Sequence, residues 1–116
     1  MLIGSSAGAA IAGSCLDYSK RIKGYMGIGY TFGRISSLIF SCHYDAIMRS
    51  VKPKLFIMGS EDEFTSVGQL QTRVKEMKSA CIEIVETANH FQLETRMHSQ
   101  AISEIMYKFI SKIQSG

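Results

Sequence analysis

The chain has 116 residues, of which 46% are hydrophobic and 20% are charged, and its formal net charge is +3 at pH 7. A chain of this length forms at most one domain, residues 1–116, and its hydrophobic fraction excludes a largely disordered protein. Its basic residues are scattered, which excludes nucleic acid as a partner, because nucleic-acid binding requires a clustered basic face. Lys52 and Lys54 are therefore expected to be solvated.

Three cysteines, Cys15, Cys42 and Cys81, lie far apart and show no metal-binding spacing. They indicate reduced thiols in an intracellular protein, either cytoplasmic or nuclear, and neither a disulfide framework nor a zinc site. No apolar run approaches the roughly 18 residues that cross a bilayer, so no membrane partner is expected. The uncharged N-terminal stretch is unlike a signal peptide, because no lysine or arginine precedes Lys20 and because glycine and serine interrupt it.

The first eight residues predict a buried strand that turns sharply into a helix. Residues 4–8 read Gly-Ser-Ser-Ala-Gly and fit G-x-S-x-G, the nucleophile elbow, in which a strained turn presents the central serine above a sheet. We expect both glycines because a Cβ at Gly4 or Gly8 would strike a neighbouring strand or helix. Ser6 is then the candidate nucleophile, and the N–H of Ala7 is a candidate oxyanion-hole donor at a helix N-terminus. A phosphate-binding loop fits less well, since the lysine of G-x-x-x-x-G-K-[ST] is missing.

The remaining sequence alternates between helix and strand patterns. Short apolar runs predict strands, a capping box at Ser66 and Gln69 predicts the start of a helix, and apolar residues at three- and four-residue spacing predict the last two helices. The expected strands after the first are 24–30, 54–58 and 81–86, and the expected helices are 7–18, 36–49, 66–78 and 96–113. This order predicts an α/β fold with a parallel sheet of about four strands and flanking helices.

Polar side chains follow three of the predicted strands. Ser6 follows the first strand, Asp62 follows the third and His90 follows the fourth. Because the carboxyl ends of parallel strands meet at one edge of a sheet, these residues are expected to converge, and their order along the chain is that of a serine, acid and histidine triad. His90 would act as general base toward Ser6, and Asp62 would orient the imidazole and stabilise its charged form.

Two acidic residues flank the chosen carboxylate. Asp62 is preferred because its short side chain lies three residues after Gly59, where the end of the strand would hold it rigidly. Glu61 and Glu63 are expected to face water. Taken alone, the acidic run fits a solvated loop and His90 fits a structural histidine, so the joint placement at three strand ends carries the interpretation.

The segments Gly4–Gly8, Pro53–Asp62 and Ala88–Phe91 together resemble the carboxy-terminal half of an α/β-hydrolase. The likeness covers nearly the whole chain and is strongest to the dienelactone-hydrolase-like branch, which includes a testis-expressed hydrolase-like protein and a subunit of a histone-acetyltransferase complex. The resemblance implies an eight-stranded sheet with its first four strands missing here, together with the loop that supplies a second oxyanion-hole N–H. It also implies Ser6, Asp62 and His90 as nucleophile, acid and base.

Two functions fit these features. The first is a serine hydrolase that acts on a small-molecule ester or other acyl compound through an acyl-Ser6 intermediate, with no metal or organic cofactor. In this reading the chain is truncated at its N-terminus, poorly folded and inactive without the missing N-terminal half. The second is a non-catalytic interaction module that binds a protein partner while the triad stays idle. The remaining histidine of the last helix, His98, is expected to face solvent.

Overall fold

The structure is a computed structural model that describes residues 1–5, 7–29, 45–62, 66–86, 88–89 and 96–115. Residues 45–49 are helical, and the remainder of the helix predicted over 36–49 lies outside the described residues. In the described segments, no helix combines the length and apolar character that a membrane span requires. The other elements, in chain order, are β1 (Leu2–Ser5), α1 (Ala7–Ser14), β2 (Tyr25–Ile28), β3 (Lys54–Gly59), α2 (Val67–Lys75), β4 (Ala80–Val85) and α3 (Arg96–Ser115).

The four strands form one parallel sheet in the order β1-β2-β3-β4, which confirms the predicted α/β fold. Parallel neighbours need a crossover connection, and the helical segments between the strands supply it. Ser5 at the end of β1 is level with Ile28 and Ile57, and Gly59 is level with Val85. The carboxyl ends of all four strands therefore lie along one edge, and β3 and β4 extend beyond the end of β1.

The sheet is covered on both faces. All six residues of β3 are buried, which is typical of a central parallel strand. Tyr25 and Phe56 point to the face that carries α1 and α2, and their rings make an edge contact with centroids 5.9 Å apart. Met26 and Ile57 point to the other face, which α3 covers with its apolar side. The apolar pattern predicted for the last helix is thus the pattern that packs on the sheet.

Local signals set the start of α2. Ser66 is its N-cap, and its hydroxyl accepts a hydrogen bond from the Gln69 N–H at 3.1 Å, while the Gln69 side chain accepts one from the Ser66 N–H at 2.8 Å. This reciprocal pair is the predicted capping box and satisfies N–H groups that the first turn leaves unpaired. The helix ends at Lys75, three residues before the predicted end.

Lys54 corrects the expectation of a solvated lysine. Its residue surface is 0% exposed, and its ammonium group donates hydrogen bonds to the carbonyl oxygens of Ser50, Lys52 and Lys78 at 2.6, 2.9 and 2.7 Å. Burial lowers the pKa of Lys54 below its ordinary value of 10.5, against the opposing effect of Asp17. The lysine therefore joins the segment before β3 to the turn before β4.

Lys52 makes a second connection of the same kind. Its Nζ donates hydrogen bonds to the carbonyl oxygens of Leu16 and Ser19 at 2.6 and 2.9 Å, and it lies 3.9 Å from Oδ1 of Asp17. The same Asp17 oxygen accepts a hydrogen bond from the Ser50 hydroxyl at 2.8 Å. The chain after α1 is thus held to the segment that enters β3, at the edge of the sheet opposite to the carboxyl ends.

We expect Lys54→Met to lower the free energy of unfolding by about 2–4 kcal/mol at pH 7, because three carbonyl groups lose a charged donor and only part of that loss is offset by removing a buried charge. Denaturant unfolding of the variant and wild type measures the difference. The same change at the exposed Lys78 is the control and should alter stability by less than about 0.5 kcal/mol. Equal effects of the two substitutions would contradict the role assigned to Lys54.

The lowered pKa of Lys54 also fixes the sign of a pH effect. Because the folded pKa lies below the unfolded one, the unfolded chain binds more protons at alkaline pH, so this group makes the fold more stable as the pH rises toward 10.5. The stability difference between wild type and Lys54→Met should therefore grow over that range.

Candidate active site

The predicted nucleophile elbow is flanked by the expected strand and helix. β1 ends at Ser5 and α1 begins at Ala7, so a single residue, Ser6, joins the two elements. Ser6 itself lies outside the described residues. Its neighbours are described: Ser5 is the carboxyl end of β1 and Ala7 begins α1, and ligands of open parallel sheets bind at this end of the strands.

The first glycine of the motif permits a close contact between strand and helix. A Cβ built on Gly4 would lie 2.6 Å from the Ala9 Cα, 2.7 Å from the Gly8 carbonyl oxygen and 2.8 Å from the Ala12 Cβ. Two of these atoms belong to the backbone of α1 and cannot move aside without moving the helix. Glycine at position 4 and the small residues of α1 therefore let the helix lie directly on the strand, as predicted.

The steric explanation expected for both glycines of the motif does not apply to the second one, Gly8. Gly8 is exposed, and a Cβ built on it meets no described atom within 4 Å. The steric reason expected for both glycines thus holds at Gly4 and is wrong for Gly8 over the described part of the chain. The exposed side of α1 at this position has room for a side chain.

A buried tyrosine fixes α1 beside the turn. The Tyr25 hydroxyl on β2 donates a hydrogen bond to the Ala9 carbonyl oxygen at 2.6 Å, and the residue is fully buried. Gly27 lies beneath it, since a Cβ there would come 2.6 Å from that hydroxyl. This contact, which the sequence interpretation missed, ties the helix that follows Ser6 to the neighbouring strand.

The loops after β3 and β4 are joined to each other. The N–H of Ser60 donates a hydrogen bond to the Val85 carbonyl oxygen, and the N–H of Glu61 donates one to the Ala88 carbonyl oxygen, both at 2.9 Å. A Cβ on Gly59 would overlap the Ala88 carbonyl oxygen and would lie 2.6 Å from the carbonyl carbon. The backbone that carries the acidic run is therefore in direct contact with the backbone that precedes His90.

Asp62 occupies the end of this joined pair of loops. Its N–H donates a hydrogen bond to the Gly59 carbonyl oxygen at 3.2 Å, and its side chain is half-buried. Glu61 is exposed, as expected, whereas Glu63 lies outside the described residues. Asp62 is thus less exposed than Glu61, and its role as the acid stays a prediction.

Of the predicted triad, the structure therefore describes Asp62. His90 lies outside the described residues, as Ser6 does; Asn89, which precedes His90, is described and half-buried. Within the described segments, no group of three or more histidine, cysteine, aspartate and glutamate side chains has an arrangement that could hold a metal ion.

His98 differs from its predicted position. It is 8% exposed, and its Nε2 has no hydrogen-bond partner among the described residues. The residue lies four positions before Ile102 and eleven before Phe109, so it shares the face of α3 that packs on the sheet. The expectation that His98 faces solvent is therefore wrong, and its helical phase with these two residues was the signal that could have predicted burial.

No protein-family model and no curated protein matches the chain. Solved structures do match it. The esterase domain of a Rhodothermus marinus protein has a TM-score of 0.75 and 12% identity, over 90% of this chain and 57% of that one. An esterase of Pyrococcus furiosus has a TM-score of 0.72 and 18% identity, over 97% of this chain and 52% of that one. An alpha-beta serine hydrolase homologue from Coxiella burnetii has a TM-score of 0.68 and 18% identity, over 91% of this chain and 46% of that one.

These likenesses concern the fold, because the identities are low. The chain spans about half the length of the structures that it matches. The 116-residue chain therefore has a partial α/β-hydrolase fold, like the esterases and serine hydrolase homologue that it resembles.

Proposed function

We propose that the chain carries the catalytic triad of a serine hydrolase that acts on an ester or similar acyl bond. Ser6 attacks the acyl carbon, His90 takes the proton of the serine hydroxyl and gives it to the leaving group, and Asp62 orients the imidazole and stabilises its charged form. A water molecule then hydrolyses the acyl-Ser6 ester, with His90 again acting as base. These steps need no metal or organic cofactor.

One observation carries this proposal: the end of β1, which precedes Ser6, and the two joined loops lie at the same edge of one sheet. Ser5 ends β1 at that edge, and the contact between Gly59 and Ala88 brings the Asp62 loop beside the residues that precede His90. The fold supports the proposal, since the matched solved structures are described as esterases and as a serine hydrolase homologue. The assignment to the dienelactone-hydrolase-like branch rests on the three sequence motifs and belongs to the same proposal.

The proposal includes a low rate for the 116-residue chain alone. The Ala7 N–H, at the start of α1, is the donor that this chain would supply to the developing oxyanion. The resemblance assigns the second donor to a loop that precedes the elbow strand in the complete hydrolases. Loss of one such donor typically lowers the rate by about 10²–10³, so acyl transfer to Ser6 should be slow.

A fluorophosphonate probe tests the proposal, because it reacts covalently with an activated serine. We expect slow labelling of the 116-residue chain at Ser6, identified by peptide mass spectrometry, and no labelling of Ser6→Ala. The adjacent Ser5→Ala variant is the matched control: it removes a neighbouring hydroxyl group and should still be labelled at Ser6. Labelling that persists in Ser6→Ala would exclude Ser6 as the nucleophile.

Folding must be checked in the same samples. Circular dichroism and a cooperative melt establish that each variant is folded before its labelling is compared. If the folded wild-type chain remains unlabelled after long incubation, the hydrolase proposal fails for this chain. The non-catalytic interaction module would then be the reading that remains.

A further inference from the structure

Among the described residues, no strand pairs with the outer side of β4, which is therefore an open sheet edge in this part of the chain. β4 pairs with β3 on one side only, and it is the last strand in the four-stranded order. Its six residues, Ala80–Val85, include a single charged side chain, that of Glu83. Exposed edges are normally protected by several charges, a proline or a covering element, because their unpaired N–H and C=O groups can pair with another strand. This edge has only the one charge.

Clefts flank β4 on both faces of the sheet. On the face of α2, Ala80 and Ile82 line an open cleft together with Val74 and Met77. On the face of α3, Cys81 and the apolar side chain of Phe109 line two adjoining clefts of about 470 and 330 Å³. The strand therefore stands partly clear of both helices, so a strand added at this edge would meet side chains on each face.

The cleft on the α3 face is positively charged. Lys112 lines both of its parts, and Lys108 and Glu83 line the part nearer to the carboxyl end of the strand. Lys112 is close enough to the Cys81 thiol to act on its pKa, which burial nevertheless raises above the ordinary value of 9.0. Two ammonium groups against one carboxylate favour an incoming acidic side chain at this position.

A second β4 strand supplies that acidic side chain in one register. Antiparallel pairing about a two-fold axis at Ile82 places Ile82 opposite its own copy, Cys81 opposite Glu83 of the partner subunit, and Ala80 opposite Ile84 of the partner subunit. Glu83 of the partner subunit then enters the cleft beside Lys112. On the α2 face, the two Ile82 side chains pair on the axis. Each Ala80 pairs with Ile84 of the partner subunit, and a small side chain opposite a large one allows close packing.

Neighbouring registers are less favourable. An axis at Glu83 would place two carboxylates directly opposite each other, which destabilises a cross-strand pair. An axis at Cys81 would place Cys81 opposite its own copy and Glu83 opposite Ser79, beyond the end of the strand, so the isoleucine pair on the axis would be lost. Only the axis at Ile82 combines the apolar pair with the opposite charges, so the edge is complementary to itself.

We propose that two copies of this chain associate through β4, forming an antiparallel pair centred on Ile82 in which Glu83 of each subunit faces Lys112 of the other. The two sheets become one eight-stranded sheet across the interface. The contact buries a six-residue edge and its cleft rims, which is small for a stable dimer, so association depends on concentration.

Disulfide trapping tests the register. In a chain with Cys15, Cys42 and Cys81 replaced by serine, Ile82→Cys should form a disulfide-linked dimer on mild oxidation, because opposed residues in antiparallel strands have the Cα separation that a disulfide needs. The matched control is Ile84→Cys, which makes the same substitution on the same face. Its copy would lie four residues away along the strand, far beyond disulfide reach, so it should stay monomeric.

Charge reversal tests the ion pair. Sedimentation equilibrium over concentrations from the micromolar range to about 1 mM should give a dimer for wild type. Glu83→Lys and Lys112→Glu should each raise the dissociation constant by about tenfold, because both symmetric contacts become repulsive, and the double variant should restore it. Asp45→Lys is the control for net charge. Asp45 is exposed, and it lies in the helical segment whose Ile47 contacts α1, on the side of the sheet away from β4. This substitution should leave the dissociation constant unchanged.

A monomer at every concentration would overturn the proposal. So would a dimer that traps equally through position 84, or one in which the double variant remains as weak as the single variants. A monomer would show that β4 does not bind its own copy, and either of the other two results would show that the dimer uses a different register or different contacts. Circular dichroism on all variants separates loss of association from loss of folding.

Discussion

Replacing Asp62 with asparagine is expected to lower the rate of acyl transfer to Ser6 by about 10⁴ while leaving the chain folded. The carboxylate of a triad holds the imidazole in the tautomer that accepts the serine proton, and an amide in its place favours the wrong tautomer. Asp62 is half-buried at the end of the loop that contacts Ala88, two residues before His90. Labelling with a fluorophosphonate probe under identical conditions measures the effect.

The neighbouring Glu61→Gln variant is the control for this substitution. It removes a carboxylate from the same loop, but Glu61 is exposed and its N–H bond to the Ala88 carbonyl oxygen does not involve the side chain. Its labelling rate should stay within a factor of about two of wild type. If the two variants lose activity equally, or if Asp62→Asn labels normally, the acid of the triad is not Asp62.

Replacing Gly59 with alanine is expected to lower the free energy of unfolding by about 3–5 kcal/mol. The new methyl group would overlap the Ala88 carbonyl oxygen and would lie 2.6 Å from its carbonyl carbon, so the two loops must separate. Overpacking of this kind costs about 1–3 kcal/mol. Weakening the two backbone hydrogen bonds between the loops adds roughly 1 kcal/mol each.

Gly68→Ala provides the matched comparison for Gly59→Ala. Gly68 lies in the first turn of α2, and the nearest atom to a Cβ there is the Ser66 hydroxyl oxygen at 4.0 Å. Alanine should therefore stabilise the chain by about 0.5–1 kcal/mol, as it does in exposed helices. Denaturant unfolding of both variants gives the comparison, and a Gly59→Ala chain as stable as wild type would mean that the loops are not in close contact.

The order of elements and their approximate bounds could be predicted because they depend on local patterns. The buried run Lys54–Gly59 indicates a central parallel strand, the capping box at Ser66 marks the start of a helix, and the apolar spacing from Ile102 to Ile113 marks the packed face of α3. Each signal lies within one element and needs no knowledge of its neighbours. The ends of elements were less accurate, since they depend on turns.

The candidate site could be predicted in part. In a parallel sheet, residues that follow the strands all lie at the carboxyl ends of those strands. Asp62 and the neighbours of Ser6 and His90 therefore lie at the same end of the sheet. The roles of Ser6 and His90 stay predictions, because both lie outside the described residues. The contact between Gly59 and Ala88 could not be predicted, since it joins two loops whose separation along the chain carries no pattern.

The sequence alone determined the alternation of strands and helices, because hydrophobic periodicity and capping act over a few neighbouring residues. Tertiary structure decided which polar side chains are buried and what they bind. The Lys54 ammonium group is buried, the Tyr25 hydroxyl donates a hydrogen bond to α1, and His98 is buried under α3. The Lys78 carbonyl group that accepts from Lys54 and the Ala9 carbonyl group that accepts from Tyr25 come from remote segments, and only folding brings them within bonding distance. A polar side chain is buried where such partners or packed neighbours converge, and local sequence does not encode that convergence.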